Sequence, residues 1–189
     1  MGSELETSRL ALRAWRSSDC APFGRLCADP QVMRFFPKLL TQRESAEMIE
    51  RMQVGIEERG WGFWAVTLKS SGELIGMTGL SPLGVESALP CTPMVEVGWR
   101  LSADHWGQGF APEAATRCLD FAFNELKLPE VYAFTSLLNS PSIRVMQKIG
   151  MQDTQRDFDH PRLDQAHRLA RHCLYKVTVE QWLEHRHGR

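Results

Sequence analysis

The sequence predicts an α/β protein of one domain, in which strands and amphipathic helices alternate along the chain. Three observations carry this. The 189 residues are about one domain's worth and enough to bury a core. Ala111, Ala114, Ala115, Cys118, Leu119, Ala122 and Leu126 fall at helical spacing and form one apolar stripe, directly after a strand-like stretch at Val95–Leu101. Short apolar segments bounded by turn residues flank this pair on both sides, with no internal repeat and no composition shift that would mark a boundary. One domain over residues 1–189 is therefore expected.

The elements follow in order. Arg9 to Trp15 alternates as a strand does. Ser18 is placed to cap a helix that runs to about Ala28, with Asp19 suited to its first turn. Thr41-Gln42-Arg43-Glu44 has the form of a capping box, with Met48, Ile49, Met52 and Ile56 as the apolar face behind it and Gly60 as the stop. Trp61–Leu68 and Glu73–Leu80 read as strands joined by a turn at Lys69-Ser70-Ser71-Gly72. Ser81 to Pro93 reads as a loop. After the strand at Val95–Leu101 a helix is expected from Pro112, then a strand at Val131–Ser136 and a short helix at Pro141–Ile149 closed by Gly150. Met151–Phe158 and Arg168–Val177 should pair as the last strands, followed by a terminal helix from Val179.

The join between Leu101 and Pro112 is the most informative segment. A strand that enters a small-residue loop and then a helix start presents N–H groups without intrahelical partners, at the positive end of the helix dipole. Gly107, Gly109 and Ala111 let an anion approach the backbone, and Glu113 suits that end of the helix. The loop lacks the Gly-Lys-Ser/Thr of a phosphate loop, and Pro112 stands where a dinucleotide fingerprint has its third glycine.

Trp106-Gly107-Gln108-Gly109-Phe110-Ala111, with Glu96-Val97-Gly98-Trp99-Arg100-Leu101 before it and Glu113-Ala114-Ala115 after it, resembles the acetyl-CoA pyrophosphate loop of the GNAT family of N-acetyltransferases. Asn139-Ser140-Pro141-Ser142, followed by Lys148-Ile149-Gly150-Met151, is similar to that family's Asn-x-x-Ser…Lys-x-Gly-Phe segment. Thr7-Ser8-Arg9-Leu10-Ala11-Leu12-Arg13, His160-Pro161 and His172-Cys173-Leu174-Tyr175 echo the RimJ/RimL-like branch, which acetylates the N-terminal α-amine of ribosomal proteins. The resemblance spans about residues 7–178. It implies the acyl-CoA N-acyltransferase fold, a mixed and mostly antiparallel central sheet flanked by helices, with a splayed pair of central strands.

The resemblance also implies acetyl-CoA as co-substrate, no metal, and direct transfer to a primary amine on a protein N-terminus or a small molecule. By resemblance, Trp99, Arg100 and Leu101 line the pantetheine arm. Trp106, Gly107, Gln108, Gly109, Phe110 and Ala111 form the pyrophosphate loop, and Asn139 and Ser142 contact the cofactor. Glu96 is the candidate general base, because a carboxylate in a partly buried strand can take a proton through water. Its competing role is a solvent-facing or arginine-paired glutamate. Asn139 also suits a helix cap. Many relatives carry a tyrosine seven residues after the Asn that protonates the departing thiolate. Met146 stands there, so Ser142 becomes a hydrogen-bonding candidate. Trp15, Trp61, Trp64 and Trp99 compete between an acceptor pocket and the core, and Asp159, His160 and Arg162 lie in a loop suited to acceptor selection.

Composition sets bounds. A formal charge of −1 gives no footprint for nucleic acid. No apolar run approaches a membrane span and no signal sequence opens the chain, so a cytoplasmic protein is expected. Five scattered cysteines without a Cys-x-x-Cys pair point to reduced thiols, and the histidines lack metal-ligand spacing. A homodimer would form through the C-terminal strands. The alternative to an enzyme is a non-catalytic acyl-CoA-binding sensor.

Overall fold

The computed structural model describes residues 4–187. They pack as two compact units, Met1–Leu80 with Gly98–Cys118, and Ser81–Val97 with Leu119–Arg189. Strands β4 (Leu74–Leu83) and β5 (Met94–Leu101) and helix α3 (Phe110–Asn124) each run from one unit into the other.

In the first unit, β1 (Leu5–Glu6), β2 (Leu10–Arg13), β3 (Phe63–Leu68) and β4 follow as an antiparallel meander, with Leu5↔Leu12, Leu12↔Val66 and Ala65↔Met77 in register. The Ser102 N–H donates to the Ile75 carbonyl at 2.8 Å, where β5 ends beside β4. Leu10, Leu12, Trp64, Val66 and Ile75 alternate into a core that excludes solvent completely. Helix α1 (Cys20–Ala28) adds Phe23 and helix α2 (Gln42–Arg59) adds Ile56. The α2 start is the expected capping box: the Glu44 N–H donates to Thr41 Oγ1 at 3.2 Å, and the Thr41 N–H donates to Glu44 Oε2 at 2.8 Å. Gly60 closes α2 in the left-handed region, at φ 81°.

The α1 start differs from expectation. Ser17–Asp19 form a 3₁₀ turn, and Asp19 is buried against Arg13 by two hydrogen bonds at 2.7 and 2.9 Å. Its carboxylate also accepts the Arg16 N–H at 2.8 Å. A local pattern gives no hint of a partner on the preceding strand.

In the second unit, β6 (Glu130–Ser136) and β9 (Arg171–Thr178) pair antiparallel from Glu130↔Thr178 to Ser136↔His172. The last strands pair as expected, but the segment from Met151 to Phe158 forms two short pieces, β7 (Gln152–Asp153) and β8 (Phe158–Asp159), both on β9. Gln155 between them has φ 57°, which breaks an extended run. Helices α4 (Ser140–Lys148) and α5 (Val179–His187) complete the unit. Leu89, Met94, Tyr132, Phe158 and Leu174 form one apolar cluster, with Phe134 packed on it.

Strands β5 and β6 are parallel and register at Glu96↔Tyr132 alone among the described residues. This is the splayed central pair; the pairs β1–β2, β2–β3, β3–β4, β6–β9, β7–β9 and β8–β9 are all antiparallel. All five cysteines are free. No helix among the described residues is long and apolar enough to cross a membrane.

Asp19→Ala would leave Arg13 charged and buried without its partner. We expect a loss of about 3–5 kcal/mol in urea unfolding, well beyond a surface substitution.

Candidate functional site

The glycine loop is built from conformation rather than side chains. Gly107 has φ 75° and Gly109 has φ 82°, so both positions require the left-handed backbone that glycine adopts without a steric penalty. Residues 107–109 are exposed, while Phe110 turns into the core. Among the described residues no acceptor takes the N–H groups of residues 107–111; the first internal bond of the helix start is the Glu113 N–H on the Gly109 carbonyl at 3.1 Å. Pro112 has no N–H to add to this set. The loop therefore offers unpaired donors at a helix start, as an anion site requires.

Arg9 fixes the loop from outside. Its Nε donates to Glu113 Oε2 at 2.7 Å, its Nη1 donates to the Gln108 carbonyl at 3.0 Å, and its guanidinium lies 4.3 Å from the centre of the Phe110 ring. Thr7 Oγ1 donates to Glu113 Oε1 at 2.5 Å. Burial pushes the Glu113 carboxyl up, but the hydrogen bonds from Thr7 and Arg9 outweigh it and hold the group below its ordinary range. The Trp106 indole N–H donates to the Leu101 carbonyl at 2.9 Å, which ties the loop to the end of β5. The Gln108 amide donates to the Asp104 carbonyl at 3.2 Å.

Trp99 is partly buried, and Leu101 is buried. Arg100 is 9% exposed, with Nη1 donating to Cys27 Sγ at 3.2 Å and Met48 Sδ at 3.8 Å. Burial lowers the Arg100 pKa and raises that of the fully buried Cys27 thiol; their mutual interaction opposes both shifts. Trp15 and Trp64 are core residues, and the Trp15 indole donates to the Phe63 carbonyl at 2.8 Å.

In the second unit, Glu96 is partly buried, and among the described residues no hydrogen bond reaches its carboxylate. Desolvation pushes its pKa up to about 7, against the opposing pull of the Arg162 charge. The arginine influence weighed from the sequence is real, but burial wins. Asn139 does cap α4: its Oδ1 accepts the Ser142 N–H at 3.3 Å, and its Nδ2 donates to Thr135 Oγ1 at 2.9 Å. Ser142 lies in the first turn with its hydroxyl unpaired among the described residues, and Met146 is buried. The His160 and His172 rings lie tilted against each other at 49°, 4.9 Å between ring centres, beside Phe134 and Phe158. Burial, and then the neighbouring charges of His172 and Arg162, push His160 down to about 4, so the imidazole is neutral near pH 7. Among the described residues no cluster of His, Cys, Asp and Glu is placed to hold a metal ion.

The profile of the Acetyltransferase (GNAT) domain matches residues 9–152. The chain belongs to the GNAT family of acetyltransferases. It is 35% identical over 150 residues to Bacillus subtilis YkkB, covering 79% of this chain and 85% of that one. It is 29% identical over 169 residues to the FsC-acetyl coenzyme A-N(2)-transacetylase of Aspergillus fumigatus, covering 84% and 69%. A GNAT acetyltransferase from Bacillus anthracis superposes with a TM-score of 0.78 at 23% identity, covering 94% of this chain and 99% of that one, which shows the shared fold.

For this GNAT chain, Arg9 is the site-supporting residue that sequence reasoning passes over. Its Thr-x-Arg-Leu context marks it, but its partner lies at Glu113, on a distant element. The Arg100 side chain is likewise unreadable, because facing depends on the fold.

Glu96 links the site to stability. Its folded pKa of about 7 lies above the unfolded carboxylate value, so its protonated form favours the fold at low pH, and that contribution is lost as pH rises through 7. Glu96→Gln mimics the neutral acid. We expect it to match wild type at pH 4.5 and to exceed it by about 1–3 kcal/mol at pH 8 in denaturant unfolding.

Proposed function

We propose that this chain transfers the acetyl group of acetyl-CoA directly to a primary amine, on a protein N-terminus or a small molecule, in a ternary complex. The observation that carries the reading is the glycine loop whose N–H groups at residues 107–111 lack acceptors. Those donors would take the CoA pyrophosphate. By the family resemblance Trp99, Arg100 and Leu101 would follow the pantetheine arm, and Asn139 and Ser142 would be further cofactor contacts. The RimJ/RimL-like motifs and the relative named for acetyl transfer from acetyl coenzyme A support this branch and donor.

The chemistry asks little of the side chains. Acetyl-CoA supplies a thioester carbonyl carbon. Glu96, poised near neutral pH, takes the proton from the acceptor amine. The amine nitrogen bonds to the carbonyl carbon, the C–S bond breaks, and the CoA thiolate leaves and takes up a proton from solvent, to which Glu96 returns the one it accepted. Ser142 donates a hydrogen bond to the departing sulfur, in place of the tyrosine that Met146 replaces. No covalent enzyme intermediate is needed, and the setting we propose is the cytoplasm.

Buried Met146 also favours a second reading, a sensor that binds acyl-CoA without turnover. Thiol release from acetyl-CoA against a panel of amines and peptide N-termini separates the two. Acceptor-dependent release is expected, with kcat lowered about 10²–10³-fold in Glu96→Gln. KM for acetyl-CoA should rise about tenfold or more when Gly107 and Gly109 are both replaced by Ala. Tight acetyl-CoA binding with no thiol released by any acceptor would support the sensor.

A further inference from the structure

Among the described residues Arg100 is a buried cation without a counter-ion. The residue is 9% exposed. Among the described residues its polar partners are two sulfur atoms, Cys27 Sγ at 3.2 Å and Met48 Sδ at 3.8 Å, both on Nη1. One face lies 4.1 Å from the centre of the Phe36 ring. Nε is shielded from solvent and has no hydrogen-bond partner.

Charge without a partner in such a place is costly, and buried ion pairs in proteins are closed by carboxylates rather than thioethers. An apolar residue of the same length would fill this position with less cost.

The geometry of the guanidinium says which ligand. Nε–H and Nη2–H lie on one edge of the planar group and point the same way. The sulfur contacts take Nη1 and leave that edge unused. Two parallel N–H groups match the two oxygens of a carboxylate. A CoA phosphate is the other oxyanion within the chemistry of this protein. On the proposed reading the CoA pyrophosphate takes the donors of residues 107–111, and a guanidinium seated against Phe36, Cys27 and Met48 suits a carboxylate carried on an apolar body better than the hydrated 3′-phosphate of CoA.

We propose that the Nε–Nη2 edge of Arg100 is a carboxylate receptor, and that the acceptor is an amine bearing a carboxylate, as an amino acid or short peptide does. This rests on the acetyltransferase reading and adds the acceptor class to it.

The test uses matched dipeptides with a free C-terminal carboxylate or a carboxamide, whose α-amines are alike. Two readouts are taken on the full chain: the rise in Tm that each dipeptide gives in the presence of CoA, and kcat/KM for thiol release from acetyl-CoA. We expect wild type to favour the acid over the amide by about tenfold or more in kcat/KM, with a larger Tm shift for the acid. Arg100→Met should bring the ratio to about one and should keep or raise the Tm of the free protein. Arg100→Lys, with a point charge and no fork, should recover only part of the preference.

Equal Tm shifts for acid and amide in wild type overturn the proposal, whether or not turnover is seen. So does a preference that survives in Arg100→Met. A raised KM for acetyl-CoA with the acid preference intact assigns the guanidinium to the cofactor and also overturns it. Failure of the acetyltransferase reading shows separately, as no Tm shift with CoA itself, or as a CoA shift with no thiol released from acetyl-CoA by any acceptor.

Discussion

The N–H groups of residues 107–111 are the constraint on which the rest depends. A helix start normally satisfies its first donors with a capping side chain, as Thr41 does for α2 and Asn139 for α4. At α3 the carboxylate that stands in the first turn, Glu113, is drawn outward to Thr7 and Arg9. It stabilises the loop from behind and leaves the donors open. Gly107 and Gly109 hold the loop in the left-handed backbone region, and the indole of Trp106 secures the approach from β5. The arrangement is electrostatic preorganisation: fixed backbone dipoles that need no reorganisation when an anion arrives.

Strand β5 carries a second kind of exception. It holds an acid without a hydrogen bond and an arginine without a counter-ion, Glu96 and Arg100. Elsewhere the buried charge is conventional, since Arg13 and Asp19 neutralise each other with two hydrogen bonds. Desolvation brings Glu96 into the range where a general base works near neutral pH. Both exceptions lie on the strand that feeds the glycine loop, and functional sites are where a protein trades stability for chemistry.

Much of this was legible in the residues, because much of it is local. The capping box at Thr41–Glu44, the stop at Gly60, the hairpin at residues 69–72 and the glycine loop depend on near neighbours. The α3 start lies at Phe110 rather than Pro112, because Phe110 is already buried as the chain leaves the loop. Strand β4 runs on to Leu83 into a segment that reads as loop from its Ser, Pro and Gly content. The long-range pairings were not legible. Nothing local tells Asp19 to meet Arg13, Glu113 to meet Arg9, or Arg100 to meet Cys27. Facing and desolvation at Glu96 also arise only once the sheet exists.

The most direct measurement is backbone amide exchange, read residue by residue by NMR, with CoA and with pantetheine, which lacks the pyrophosphate. If the loop donors bind the pyrophosphate, CoA will slow exchange and shift the amide resonances at Gly107, Gln108, Gly109, Phe110 and Ala111, and pantetheine will not. CoA binding that leaves those amides unchanged would contradict the account.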